Sequence, residues 1–377
     1  MHQRYVPATF VRGGTSKGLF FLAADLPENR TERDAWFLSA LGSPDPNGRQ
    51  LDGMGGGLSS LSKVAFIGLS EHPDADIDYT FAQVAVDQPV VDYGANCGNL
   101  ASAVGPVAVE TGLLDLPDGT VSVRIHATNT GQLITSTFEV RDGRAVIKGG
   151  LALPGVSGHG APIQLEFRNP GGSVTSGLLP TGAVRDQLHV DEVGIVTASL
   201  IDATNPVVFV EAAAVGLTGC ETLDELDADR DLMDRLERIR RAGGVAMGLG
   251  ESSSTVGLAN PKIAVLAPAQ DFTALDATRI GAVEYDISIR IISMGRWHRA
   301  VTVTGALCLA TAAGIDGTLA ADLFAAGTGR PLRVGQPSGV VTVAASTRLD
   351  GERWVAESAS LFRTARILMR GEVGIPS

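Results

Sequence analysis

The sequence predicts a mixed α/β fold built twice over, each half a barrel-like sheet wrapped around one buried helix. Three observations carry that expectation. Short stretches of alternating apolar and polar residues, the pattern of half-buried strands, recur along most of the 377 residues. Two segments break the alternation: 93–109 and 300–315 run without a charged residue. A helix in either place is apolar nearly all round and must be enclosed. Both segments also follow a strand and a loop, and they end alike, at Gly112-Leu113 and at Gly314-Ile315. On this basis the chain divides into halves 1–180 and 181–377, with the last segment free to pair back onto the first half.

Taken in order, Tyr5 to Phe10 reads as a first strand and Leu19 to Leu22 as the next. Between them lies Arg12-Gly13-Gly14-Thr15-Ser16-Lys17-Gly18. Cations among small residues suit a carboxylate or phosphate cradle, or equally a hairpin turn with solvated charges. The spacing is not that of a Walker loop. Glu32 to Leu41 reads as a short amphipathic helix. Asp52-Gly53-Met54-Gly55-Gly56-Gly57-Leu58-Ser59-Ser60-Leu61-Ser62-Lys63 then runs into a strand, Val64 to Gly68. These glycines precede a strand rather than a helix, so a dinucleotide fingerprint fits poorly. Lys63 stands at the mouth of an apolar strand. Desolvation there lowers an amine's pKa and favours the neutral form that a general base requires. An exposed lysine on a flexible loop is the plainer reading.

Tyr79 to Val86 alternates as a strand and leads to Asn96-Cys97-Gly98-Asn99, a loop that turns straight into the first uncharged helix. A thiol at that position sits among the free N–H groups of the first helical turn. Their partial positive charge favours thiolate and holds anions, and Gly98 lets a ligand approach the backbone. A small buried cysteine capping a core helix is the alternative. Val121 to His126 and Gln132 to Phe138 read as strands joined by Ala127-Thr128-Asn129-Thr130-Gly131, with further strand over Ala145 to Lys148 and Ile163 to Phe167.

The second half begins at Leu178. Ile195 to Asp202 and Val207 to Glu211 are β-rich, and Thr222 to Arg241 is one charged amphipathic helix. Asn260-Pro261-Lys262 opens the strand Ile263 to Leu266. Tyr285 to Ile292 alternates and ends in Ser293-Met294-Gly295-Arg296-Trp297-His298-Arg299, ahead of the second uncharged helix, Ala300 to Ala313. Val340 to Ala345 and Trp354 to Arg370 complete the chain as strands.

Composition excludes several classes. Apolar residues make up 44% and charged residues 19%, as in a globular protein. A net charge of −12 argues against nucleic acid or an anionic membrane as partner, so an anionic substrate must be caught by local cations. Cys97, Cys220 and Cys308 are far apart and odd in number, which suits neither a disulfide framework nor a zinc knuckle. The six histidines show no metal-ligand spacing. The first residues lack the apolar run of a signal peptide, and we expect a cytoplasmic protein, with a homodimer as its candidate assembly.

The motifs Arg12–Gly18, Asp52–Lys63, Asn96–Asn99, Ser293–His298 and Val334-Gly335-Gln336-Pro337-Ser338-Gly339 together resemble the PrpF-type methylaconitate isomerases. Relatives of these include 4-oxalomesaconate tautomerase and methylitaconate isomerase. The resemblance covers most of the chain, with the motifs in family order. It implies a diaminopimelate epimerase-like fold of two pseudo-symmetric halves with the active site between them. It implies no cofactor and no metal. It further implies that Lys63 and Cys97 act as an acid–base pair on an unsaturated di- or tricarboxylate such as 2-methylaconitate or aconitate. Matching motifs and chemical type assign substrate binding to Thr15, Ser16, Lys17, Ser59, Ser60, Leu61, Ser62, Asn96, Gly98, Asn99, Lys262, Ser293, Met294 and His298. Arg12 and Arg296 are either anchors or structural arginines. The epimerases place a second cysteine in the second half, whereas the matching loop here reads Arg296-Trp297-His298 and Cys308 falls inside the helix. A two-thiol epimerase is therefore disfavoured, and a carboxylate-binding protein on the same scaffold is the non-enzymatic alternative.

Overall fold

A computed structural model describes residues 3–94, 96–324 and 330–376. It consists of two compact units, Met1–Leu165 with Phe362–Ser377, and Glu166–Leu361.

In the first unit, β1 (Gln3–Gly13) and β2 (Ser16–Leu22) form a hairpin whose two-residue turn is Gly14-Thr15. The loop expected over Arg12–Gly18 is therefore mostly strand. Helix α1 (Arg30–Leu41) starts at Asn29, whose side chain accepts from the Glu32 N–H at 3.1 Å, and ends at Gly42 in the left-handed conformation. β3 (Lys63–Leu69) runs parallel to β2 and antiparallel to β4 (Ile77–Val84). The short β5 (Val91–Asp92) leads into α2 (Gly98–Glu110). β6 (Gly119–Ala127) and β7 (Gln132–Arg141) follow as a hairpin, with β6 parallel to β4. The strand expected over Ala145 to Lys148 shrinks to β8 (Arg144–Ala145). β9 (Leu151–Ala152) and β10 (His159–Gly160) pair with each other, and β11 (Ile163–Arg168) ends the run. Helix α2 packs against β1, β2, β3, β7 and β8, and every residue from Gly98 to Val109 is buried. Its freedom from charge is what allows this enclosure.

In the second unit, β12 (Asp186–Val190), β13 (Gly194–Asp202) and β14 (Pro206–Glu211) form a meander. The single helix expected over Thr222 to Arg241 is broken into α3 (Leu223–Ala228) and α4 (Arg230–Ala246). Asp229 causes the break: its side chain caps α4 by accepting from the Leu232 N–H at 2.9 Å. β15 (Lys262–Pro268) lies parallel to β14. After β16 (Phe272–Thr273) and β17 (Arg279–Ile280), β18 (Ile287–Ser293) turns into β19 (Arg296–Trp297). Helix α5 (Val303–Ala313) begins later than the uncharged run because Thr302 caps it through the Gly305 N–H at 3.1 Å. It is buried throughout and packs against β13, β14, β21 and α6 (Leu319–Leu323). β20 (Leu332–Gln336), β21 (Gly339–Asp350) and β22 (Arg353–Arg363) close the sheet. The last strand, β23 (Ala365–Pro376), pairs along the whole of β1 and belongs to the first unit.

Each unit thus encloses one helix in mixed-sheet strands, α2 free of charge from Gly98 to Val109 and α5 throughout. Among the described residues no helix is long and apolar enough to cross a membrane.

Candidate active site

Lys63 opens β3, opposite Gln83 on β4. Directly paired residues present their side chains to the same face, and Lys63 Nζ donates to Gln83 Oε1 at 2.5 Å. The amine also lies 4.9 Å from the centre of the Phe81 ring. By surface the side chain is only half-buried, but protein packs densely around the amine. That desolvation lowers its pKa below the ordinary 10.5, while charge on Cys97 acts the other way. The amine and the thiol are therefore close enough to feel each other's charge.

Cys97 is the residue before α2, in extended conformation, 9% exposed, and its side chain makes no capping bond. The N–H groups of a first helical turn have no intrahelical partner and suit an anion. The cysteine loop is held from beneath. Tyr79 on β4 donates its hydroxyl to the Cys97 carbonyl at 3.1 Å. Burial, and then charge on Cys97, raise the Tyr79 pKa, so the phenol stays a donor. Asn129, in the β6–β7 turn, donates to the Tyr93 carbonyl at 2.8 Å and bonds both backbone groups of Phe81.

The β1–β2 turn meets the start of α2. Asn99 Nδ2 donates to Thr15 Oγ1 at 3.0 Å, and Asn99 Oδ1 accepts from the Thr15 N–H at 3.4 Å. A Cβ on Gly13 would lie 2.5 Å from the Asn99 carbonyl oxygen, and one on Gly14 would overlap the Asn99 amide; Gly14 also has a φ of +52°. Glycine at both positions is what lets turn and helix approach. The same Asn99 Oδ1 accepts from Arg363 Nε at 3.3 Å. Arg363 is 3% exposed, and its other bond, from Nη1 to the Phe362 carbonyl at 3.0 Å, is also to a neutral group. Burial lowers its pKa to about 10, so it is a cation at neutral pH.

The remaining first-unit residues divide by what their side chains do. Ser62 is fully buried and structural: its hydroxyl donates to the Val84 carbonyl at 2.9 Å and accepts from Gln50 Nε2 at 2.6 Å. Ser59 is exposed, and Ser60 and Leu61 are half-buried on the same 3-10 turn. Ser16 is buried in β2, and Lys17 leans its ammonium toward the Phe10 ring, 5.4 Å from its centre. Asn96 has both amide atoms buried and without a hydrogen-bond partner among the described residues. Arg12 is a structural arginine, donating to the carbonyls of Gly14 at 3.0 Å and Thr364 at 2.7 Å.

In the second unit, Lys262 is buried at the start of β15. The corner before it is fixed by Arg240, which donates to the carbonyls of Gly257, Asn260 and Pro261 at 2.9, 3.4 and 3.1 Å. Met294 and Gly295 make the two-residue β18–β19 turn, both left-handed, with φ of 55° and 69°. Paired left-handed residues match the twist of a tight hairpin, and a non-glycine held there is a costly conformation of the kind found at functional turns. Ser293 is half-buried at the head of that turn and Arg296 is exposed. His298 Nδ1 lies 2.7 Å from the Ala300 carbonyl oxygen. A carbonyl only accepts, so Nδ1 bears a proton. Cys308 is wholly buried in α5, its sulfur 3.5 Å from the Ile201 carbonyl oxygen, and burial pushes its thiol up.

Sequence reading missed Gln83, Tyr79, Asn129 and Arg363. Gln83 follows from strand register, Tyr79 and Asn129 reach the carbonyls of the cysteine loop and of Tyr93 across the fold, and Arg363 stands 264 positions from the asparagine it touches, so no local pattern announces them. Among the described residues no three His, Cys, Asp or Glu side chains gather as a metal site.

Comparison with known proteins shows the family and the fold. The family model described as PrpF protein matches residues 3–376. A 2-methyl-aconitate isomerase of Cupriavidus necator is 40% identical, over 98% of this chain and 97% of the relative. A 3-methylitaconate isomerase of Eubacterium barkeri is 38% identical over the same shares. A (4E)-oxalomesaconate Delta-isomerase of a Novosphingobium strain is 40% identical, over 97% of this chain and 96% of the relative. The crystal structure of a methylitaconate-delta-isomerase superposes with a TM-score of 0.83 at 36% identity, covering 100% of this chain and 96% of that one. A hydroxyproline epimerase from Agrobacterium vitis shares the fold, at a TM-score of 0.57 and 13% identity, covering 99% of this chain and 94% of that one.

Proposed function

The chain belongs to the PrpF family and is an isomerase, and we propose that it moves a proton, and with it a double bond, within a small unsaturated di- or tricarboxylate. One observation carries this reading: a lysine amine with a lowered pKa shares a site with a buried cysteine at an uncapped helix start. The neutral amine of Lys63 takes a proton from a carbon allylic to the double bond. The electron pair spreads into a dienolate. Cys97 returns a proton to a different carbon and shifts the double bond; where rotation precedes reprotonation, cis and trans exchange instead. General acid–base help of this kind is worth about 10²–10⁴ in rate. The remainder falls to donors aimed at the developing charge, for which the first-turn N–H groups of α2 are placed.

Carboxylate anchoring in the first unit falls to Thr15, Asn99 and Arg363. Among the described residues Arg363 bonds neutral groups, the Asn99 amide and the Phe362 carbonyl, an arrangement that costs free energy unless an anion joins it. The relatives act on 2-methylaconitate, 3-methylitaconate and oxalomesaconate, as their names state, and these define the substrate panel. We place the enzyme in the cytoplasm, with a homodimer as its assembly.

The test is incubation of the protein in deuterium oxide with that panel plus cis- and trans-aconitate, followed by proton NMR. The expected result is loss of an allylic proton signal together with growth of a new isomer of one panel member. Absence of both exchange and isomerisation across the panel would refute the reading and leave a carboxylate-binding protein on an isomerase scaffold.

A further inference from the structure

Gln83 bonds three groups of the site at once. Its Oε1 accepts from Lys63 Nζ at 2.5 Å, and its Nε2 donates to the carbonyls of Ser59 at 3.0 Å and Ser62 at 2.9 Å. The amide orientation is forced by these partners. Two carbonyls can only accept, so the NH2 group must face them and the oxygen must face the amine. Gln83 therefore ties Lys63 to the 3-10 turn that precedes it, across the β3–β4 pair.

The chemistry of this contact differs from that of an ordinary lysine partner. A carboxylate in the same place would favour ammonium and hold the proton on the lysine. An amide oxygen accepts one N–H without adding charge, so an amine held by it keeps its lone pair when neutral. Other groups of the site surround Lys63. From β4 the amine meets the Phe81 ring; at the start of α2, charge on Cys97 bears on it; and β2 lies against the lysine's backbone, where an added Cβ on Gly18 would lie 2.5 Å from the Lys63 carbonyl oxygen.

We infer that Gln83 is the positioning residue of the proton-abstracting amine, fixing its rotamer through a neutral acceptor so that Lys63 is both aimed and free to deprotonate. This rests on the reading of Lys63 as the base. It predicts that Gln83→Glu, which places a carboxylate on the amine, raises the pH at which Lys63 loses its proton. Opposite charge at contact distance typically moves a pKa by about 1–3 units. At neutral pH the variant then loses about 10- to 1000-fold in kcat/KM and recovers it at high pH. Gln83→Met removes the tether without adding charge, so it lowers kcat with little effect on KM and leaves the pH inflection in place.

Two readouts test this on the full chain. The first needs no substrate: the rate of Lys63 acetylation by acetic anhydride, followed by peptide mass spectrometry across pH, reports the protonation of the amine. The second is the pH profile of kcat/KM with whichever panel member the enzyme turns over. Gln83→Glu should shift both midpoints upward together, with circular dichroism unchanged. An unmoved acetylation midpoint in folded Gln83→Glu overturns the role of Gln83 and leaves the base assignment standing. A shifted acetylation midpoint with an unmoved rate profile shows that Lys63 is not the base, and the positioning role falls with it.

Discussion

Replacing Lys63 by methionine should separate catalysis from folding, because the proposed role of the amine and its burial predict opposite signs. The substitution keeps the length of the stem and removes the amine. Loss of the base costs about 10²–10⁴ in kcat/KM, or about 2.7–5.4 kcal/mol at 1.36 kcal/mol per decade. Stability should not fall alongside. The amine is desolvated, its bonding partner Gln83 is neutral, and its pKa is depressed by burial. A depressed lysine pKa means that the unfolded chain binds the proton more tightly than the native one. The native state therefore gains relative stability as pH rises through the interval between the lowered pKa and 10.5, and loses it as pH falls through the lowered value. Below that interval wild type carries the cost of the protonated amine and Lys63→Met does not. The assay pairs kcat/KM with urea midpoints at neutral and alkaline pH. The wild-type rate should rise with pH to an inflection below 10.5, the variant should lack that inflection, and the variant's urea midpoint at neutral pH should equal or exceed wild type. A variant that keeps wild-type turnover, or one that loses activity and stability in step, would refute the assignment of Lys63 as the base.

Cys97→Ser should slow isomerisation and stop solvent deuterium entering one specific product carbon; unchanged labelling by NMR would demote the thiol to a structural residue. Arg363→Met should raise KM by about 10- to 100-fold, the equivalent of about 1.5–3 kcal/mol for hydrogen bonds to a charged group, with thermal stability held or improved because a buried cation among neutral partners is removed; steady-state kinetics and thermal melts check both halves. Cys308→Ala should leave kcat/KM unchanged, since its thiol is enclosed in α5, and a loss of turnover in folded protein would contradict the single-thiol reading. Thr302→Ala should lower stability by about 1 kcal/mol through loss of the α5 cap, read as a lower urea midpoint at unchanged slope.

What the sequence makes legible here is whatever a run of neighbouring residues determines. An uncharged stretch cannot form an exposed helix, so α2 and α5 and their enclosure could be read directly. The places of Lys63 and Cys97 in the fold were legible because each stands at the joint between a loop and a regular element. Helix and strand ends were less so: Asp229 splits what reads as one helix, and Thr302 delays α5, because a single capping bond decides a boundary that periodicity only brackets. The support of the site was not legible at all. Gln83 meets Lys63 only through the β3–β4 register, and Arg363 meets Asn99 only because the end of the chain returns to the first unit. Ser62 shows the converse error. It resembles its neighbours Ser59 and Ser60 in sequence, but the strand it enters turns its hydroxyl inward, onto Gln50 and Val84.

The two uncharged helices are built alike and have unlike chemistry, and that inequality bears on the reaction. Each begins where a loop meets a buried element, but α2 is preceded by Cys97, with no capping bond, whereas α5 is preceded by Thr302, whose hydroxyl is spent on Gly305. The cysteine of the second helix lies inside it, buried and with its thiol pushed toward the protonated form. Exchange of a proton between two faces of one carbon by two matched thiols therefore has only one of its two groups here. What stands near the remaining thiol is an amine, whose basic form is neutral where a thiolate's is charged. An unlike pair suits a reaction whose two proton transfers are also unlike, removal from one carbon and delivery to another. On the proposed reading the base would meet a carbon acid beside fixed carboxylates, where a neutral amine is not repelled by the dianion it approaches and a second thiolate would be. On this argument, exchanging the lysine for a cysteine would not convert the enzyme into an epimerase. Lys63→Cys should be inactive toward the isomerase panel and toward amino-acid epimerisation alike, and deuterium exchange into a proline or hydroxyproline substrate by that variant would overturn it.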